Sequence, residues 1–108
     1  METQRTEIRI PIPMEALAAV CHRYGVKELS LFGSVLRDDF TDQSDVDVLV
    51  EFNPDAPVRN FGFFRLLHAL EDEVFQRHVD LVELGTLSRY IADRVMAERK
   101  VVYVAPQR

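Results

Sequence analysis

The sequence has one cysteine and no surplus of basic residues. With Cys21 alone, no internal disulfide can form, and a zinc module of several closely spaced Cys and His is excluded. A reducing compartment is expected. Thirteen Lys and Arg against eighteen Asp and Glu leave a net charge of -5. That balance argues against a broad basic face gripping extended nucleic acid through many phosphates. An acidic chain can still bind a single nucleotide, above all if its carboxylates hold metal ions. No apolar run approaches the ~20 residues of a membrane span. The polar opening METQRTEIRI has no signal-peptide core, so a cytoplasmic protein is expected. Internal repeats and low-complexity tracts are missing too.

What is present is the material of one domain spanning residues 1–108, 47 % apolar and 29 % charged. Residues 1–10 start polar and are expected to be flexible. A loop is predicted over 53–58, around Pro54 and Pro57. The first helix is predicted from Pro13 to about Tyr24, with Met14, Leu17, Cys21 and Tyr24 as its apolar stripe and Gly25 after its end. A strand is expected over Glu28–Phe32, broken by Gly33-Ser34. Asp45–Phe52 alternates without a lapse: Val46, Val48, Val50 and Phe52 on one face, Asp45, Asp47, Leu49 and Glu51 on the other. A helix over about Asn60–Gln76 follows, with Phe61, Phe64, Leu67, Leu70 and Val74 on one side. His78–Glu83 reads as a third strand. Thr86 can cap a last helix carrying Leu87, Ile91 and Val95, and Val101–Val104 closes the chain as a short strand. The fold class is α+β, a small mixed sheet with helices packed on one face.

Three features carry chemistry. Gly33-Ser34 sits where a strand gives way to a turn. Glycine lets backbone approach a ligand, and free N–H groups with the Ser34 hydroxyl suit a phosphate. The GxxxxGK[ST] pattern of a P-loop is absent. Asp45 and Asp47, two apart on a strand, share a face with Cα atoms roughly 6.5 Å apart. Such hard oxygen ligands suit Mg²⁺, which binds through one or two carboxylates plus substrate phosphates. Asp80, inside the apolar run VDLV, joins them if its strand is a neighbour, and a third carboxylate can also take a proton from an incoming hydroxyl.

The stretch GSVLRDDFTDQSDVDVLVEF resembles the signature of the DNA polymerase β-like nucleotidyltransferases: Gly-Ser, ten residues, then Asp-x-Asp, with Arg37 three after Ser34 and Ser44 ahead of Asp45. The later VDLVE and the closing helix look like the minimal nucleotidyltransferases, small proteins often paired with a HEPN-domain toxin. Asp38 and Asp39 stand where many relatives follow the Arg with Gly. The resemblance implies that Gly33, Ser34, Arg37 and Ser44 serve the nucleotide, and that Asp45, Asp47 and Asp80 hold Mg²⁺, two ions being expected. It implies transfer of AMP from ATP to a hydroxyl, a tyrosine by expectation, of a HEPN partner, and hence a hetero-oligomer. Two other readings use the same residues: an antitoxin that inhibits its partner by covering it, and a metal-dependent nuclease.

Elsewhere the readings are plain. Cys21 falls on the apolar stripe and reads as a core thiol, not a nucleophile beside His22. His68 and Asp72, at i and i+4, read as a surface pair, and His78 as a neighbour of Asp80. Phe63 is expected to be the exposed member of its aromatic cluster. Arg89, Arg94, Arg99 and Lys100 read as a solvated face.

Overall fold

The alternation around Val48 builds the centre of the molecule. In the computed structural model, which describes residues 8, 10–56 and 62–106, Val46, Val48 and Val50 are completely buried on strand β2, Val46–Phe52. β2 lies between β1, Val26–Phe32, and β3, Val79–Glu83, and β4, Lys100–Val104, pairs with the far side of β1. The order is β3-β2-β1-β4, with β1 antiparallel to β2 and β4 and β3 parallel to β2. β1 starts two residues earlier than expected, because a register shift between Val26 and Glu28 breaks the alternation and returns Val26 to the core. Asp45 lies just before β2 rather than within it.

Helix α1, Met14–Arg23, buries Leu17, Val20 and Cys21 against this sheet, while Met14 stays half exposed. Burial of each such aliphatic side chain contributes about 1.5–3 kcal/mol. The Cys21 thiol is free and core-packed as expected, and burial pushes its pKa up to about 12. Helix α2, Gly62–Ala69, continues into a π-helical stretch, Leu70–Phe75, and lies on the same face.

The buried stripe of α2 is Leu66, Ala69, Leu70 and Val74, not the predicted one through Phe64 and Leu67. Phe64 is two residues from Leu66 and so points away, 54 % exposed, whereas Phe63 packs against the core. The expected order of exposure is thus reversed. The π winding also redirects His68, whose Nδ1 lies 3.9 Å from Glu71 rather than pairing with Asp72. Asn60 and Phe61, residues 57–58 of the predicted loop, and residues 1–7 and 9 lie outside the described residues.

Helix α3, Arg89–Glu98, starts at Ser88, whose hydroxyl accepts from the Ile91 N–H at 3.4 Å. Thr86 is not the cap: its hydroxyl donates to the Glu83 carbonyl at 2.8 Å inside the turn that follows β3. Leu87 therefore precedes the helix, Ile91 is exposed, and Val95 alone of the predicted stripe is buried. The end of α3 brings Met96 and Arg99 beside Ser30, Leu49 and Glu51 on the face opposite α1 and α2. Arg99 is consequently no solvated residue; it bonds Glu28 and, at 3.1 Å, the buried Ser30 hydroxyl. No helix among the described residues is long and apolar enough to cross a membrane. The two turn hydroxyls separate in a stability measurement. Ser88→Ala is expected to cost about 1 kcal/mol, lowering the melting temperature by about 4–8 °C, and Thr86→Ala to stay within about 0.5 kcal/mol. Thermal unfolding followed by circular dichroism checks it; the reverse order would restore Thr86 as the cap.

Candidate active site

β1 ends in extended backbone at Phe32, and Gly33, at φ +76°, turns the chain into a single 3-10 turn, Gly33–Leu36. The helix expected after Gly-Ser is only this turn, so the loop can offer a ligand its backbone N–H groups and the Ser34 hydroxyl rather than a helix dipole. The glycine is required twice. Its φ is one that side-chain-bearing residues avoid, and a Cβ there would stand 2.2 Å from Asp47 Oδ2. The Gly33 backbone is thus pressed against the Asp47 carboxylate, which accepts a hydrogen bond from the Ser34 N–H.

Register brings the acids together. Asp47 pairs across the sheet with Phe32 on β1 and with Asp80 on β3. Adjacent strands lie about 4.8 Å apart and paired residues share a face, so the Asp47 and Asp80 side chains rise side by side. Asp45 and Asp80 are exposed, while Asp47 is partly covered. The Asp47 carboxyl titrates above its ordinary value. Burial is the first cause, repulsion from Asp80 and Asp45 the next, and the Ser34 N–H and Arg37 pull the other way. Among the described residues no three His, Cys, Asp or Glu side chains close into a ready-made metal cage. The donor set still fits Mg²⁺, which keeps waters and takes its remaining ligands from phosphates. A raised carboxyl between two other acids is the electrostatic situation that a divalent cation relieves.

The remaining predicted residues surround this group. Arg37 is exposed and its Nε lies 3.5 Å from Asp39, yet its charge is felt at Asp47. The Ser44 hydroxyl accepts from the Thr41 N–H at 3.0 Å, and so braces its own loop. His78 lies at the site as expected: its Nδ1 is 3.2 Å from Asp45 Oδ1, and its carbonyl accepts the Val46 N–H. Arg77, not singled out by any spacing in the sequence, donates from Nη1 to the Ser44 carbonyl at 3.3 Å and lies over the Phe40 ring. Its partners are 33 residues or more away, and no local pattern announces such contacts.

Comparison with known proteins agrees with this arrangement. A family model described as a nucleotidyltransferase domain matches residues 13–102. The protein adenylyltransferase MntA of Thermococcus cleftensis is 40 % identical over 82 residues, 76 % of this chain and 78 % of that protein. A solved structure of a candidate minimal nucleotidyltransferase superposes with a TM-score of 0.68 at 31 % identity, covering 81 % of this chain and 86 % of that one. The same fold recurs in a Shewanella oneidensis complex of a tri-AMPylated HEPN toxin with its MNT antitoxin, at a TM-score of 0.60 and 20 % identity over 85 % of this chain and 70 % of that one. It recurs also in a toxin–antitoxin structure with AMP-PNP, at 0.67 and 20 % over 86 % and 74 %.

Proposed function

Because this chain belongs to the nucleotidyltransferase domain family, we propose that it transfers AMP from ATP to a tyrosine hydroxyl of a HEPN-domain toxin in the cytoplasm, and thereby acts as an antitoxin. The observation that carries this reading is Asp47 set beside Asp80, with the Gly33-Ser34 backbone packed against it.

In this reading the Ser34 hydroxyl and the neighbouring N–H groups hold the triphosphate, and Gly33 lets it approach the carboxylates. Arg37 exchanges its exposed contact with Asp39 for a phosphate oxygen. Ser44 acts through the loop that it braces. Asp45, Asp47 and Asp80 would hold Mg²⁺, which when bound neutralises charge on the phosphates and makes the acceptor hydroxyl more acidic. Asp80, exposed at the surface, takes the proton from that hydroxyl as its oxygen forms the new bond to the α-phosphorus. The bond from that phosphorus to the bridging oxygen breaks, and pyrophosphate leaves. No covalent enzyme intermediate is needed; orientation and electrostatics supply the rate.

The test is intact mass spectrometry of the chain and its HEPN partner after incubation with Mg²⁺ and each of the four nucleoside triphosphates. The expected result is one or more AMP masses on the partner, with ATP and not without nucleotide. A stable, inhibited complex with no mass change under any nucleotide would overturn the transferase reading and leave inhibition by binding.

A further inference from the structure

We infer that Arg77 is a positioning residue for the metal-binding carboxylates, acting through the loop between the Gly33–Leu36 turn and β2; the inference rests on the nucleotidyltransferase reading. Much of the described bonding of that loop is its own: Phe40 N–H to the Arg37 carbonyl, Ser44 N–H to the Thr41 carbonyl, Thr41 N–H to the Ser44 hydroxyl. Such a turn holds its shape but does not by itself hold its place on the protein. Arg77 ties it down from outside. Its Nη1 reaches the Ser44 carbonyl at 3.3 Å and the Thr41 carbonyl at 3.5 Å, and its guanidinium stacks 4.9 Å from the centre of the Phe40 ring. Phe40 in turn packs on the core. The Ser44 carbonyl is one peptide bond from Asp45, so a shift there moves the carboxylate directly.

The element that delivers Arg77 is built for placement. The π-helical stretch Leu70–Phe75 ends at Gln76, which is left-handed at φ +54°. That reversal sends Arg77 to the loop and His78 to Asp45. Glu71, on the same stretch, accepts the Val79 N–H at 3.0 Å and so anchors the start of the strand that carries Asp80. π-Helical turns of this kind recur at functional sites. One short segment therefore sets both sides of the acidic group, and Arg77 is the part of it that reaches the loop. A lysine can keep the charge, but not the planar stack on Phe40 together with the two carbonyl bonds.

The experiment is a Mn²⁺ titration followed by electron paramagnetic resonance, in the presence of a non-hydrolysable ATP analogue. It compares the native chain with Arg77→Met, Arg77→Lys, Phe40→Leu and, as a matched control, Arg23→Met. Arg23 also lies over an aromatic ring, that of Tyr24, and pairs with Glu73, on the opposite side of the π-helical stretch from any loop contact. Loss of an outer-shell partner typically weakens metal binding about 10–100-fold. Arg77→Met is expected to weaken Mn²⁺ binding at least about tenfold, Arg77→Lys to restore it only in part, Phe40→Leu to shift it in the same direction, and Arg23→Met to leave it unchanged. Without metal or nucleotide, amide exchange over residues 40–45 is expected to quicken in Arg77→Met and not in Arg23→Met. If Arg77→Met does not fold, Arg77→Lys and Phe40→Leu carry the same test. Native binding with unchanged Mn²⁺ affinity in the folded Arg77 and Phe40 variants would overturn the positioning role alone. Absence of Mn²⁺ binding by the native chain would overturn the nucleotidyltransferase reading beneath it.

Discussion

Asp47→Asn is expected to abolish AMP transfer while leaving the fold as stable as before, or more so. The carboxamide keeps the shape and can still accept the Ser34 N–H, but it removes the central anionic ligand. Stabilisation of transition-state charge by a bound metal amounts to several kcal/mol, so a fall of about a thousandfold or more in transfer rate is expected, at tenfold per 1.36 kcal/mol. The stability half of the prediction follows from the titration of Asp47. Burial, then Asp80 and Asp45, raise its pKa in the fold. A carboxyl raised in this way favours the folded state below its unfolded pKa, and that advantage is lost as pH rises through the raised value. At neutral pH the ionised side chain is therefore a liability, which Asn removes. The unfolding midpoint at pH 7 is expected to equal or exceed the native one, and native and variant curves to converge as pH falls below the ordinary aspartate range. Transfer within tenfold of native, measured by labelled AMP incorporation, would remove Asp47 from the site. A lowered midpoint would give it a structural role instead.

Gly33→Ala tests the other half of the arrangement. At φ +76° an alanine costs about 1–3 kcal/mol in backbone strain. The methyl would in addition lie 2.2 Å from Asp47 Oδ2 and 3.1 Å from its Cγ, so rotation of the carboxylate end alone does not clear it. The side chain must swing to another rotamer, away from the Ser34 N–H. The expectation is a melting temperature lower by about 4–8 °C for each kcal/mol lost, with transfer lost nearly as fully as in Asp47→Asn. Because the two residues touch, their effects are not additive: the double variant should be no less active than either single one. A Gly33→Ala protein that keeps a third of the native rate would show that the close approach of backbone and carboxylate is dispensable.

The parts of this site legible in the sequence were those whose signal is local. The lapse-free alternation from Asp45 to Phe52 placed Asp47 on a face of β2, and the matching run VDLVE placed Asp80 on a strand. Their adjacency was not local. It needed the parallel register that sets Asp47 beside Asp80, which no spacing encodes. Helix faces failed where the winding changed. A 3.6-residue period cannot foresee the π stretch that follows α2, and so misassigns the partner of His68 and the exposure of Phe63 and Phe64. Caps failed by two residues because Thr86 and Ser88 are chemically equal candidates, and only the turn after β3 decides between them. Arg77 and Arg99 looked like surface charges because their partners are brought by tertiary folding.

The pairing of β1 with β4 bears on how the molecule comes into being. Leu31 finds its partner on that side only at Lys100. On a translating ribosome at about 5–20 residues per second, the inner edge of β1 stays without its final neighbour for several seconds. Every residue assigned to the site has by then been made. An open strand edge of this kind invites pairing with other chains, and contacts so far apart in sequence form late. The nascent protein thus carries a complete set of chemical groups on an unclosed sheet, and the strand that completes it supplies none of them.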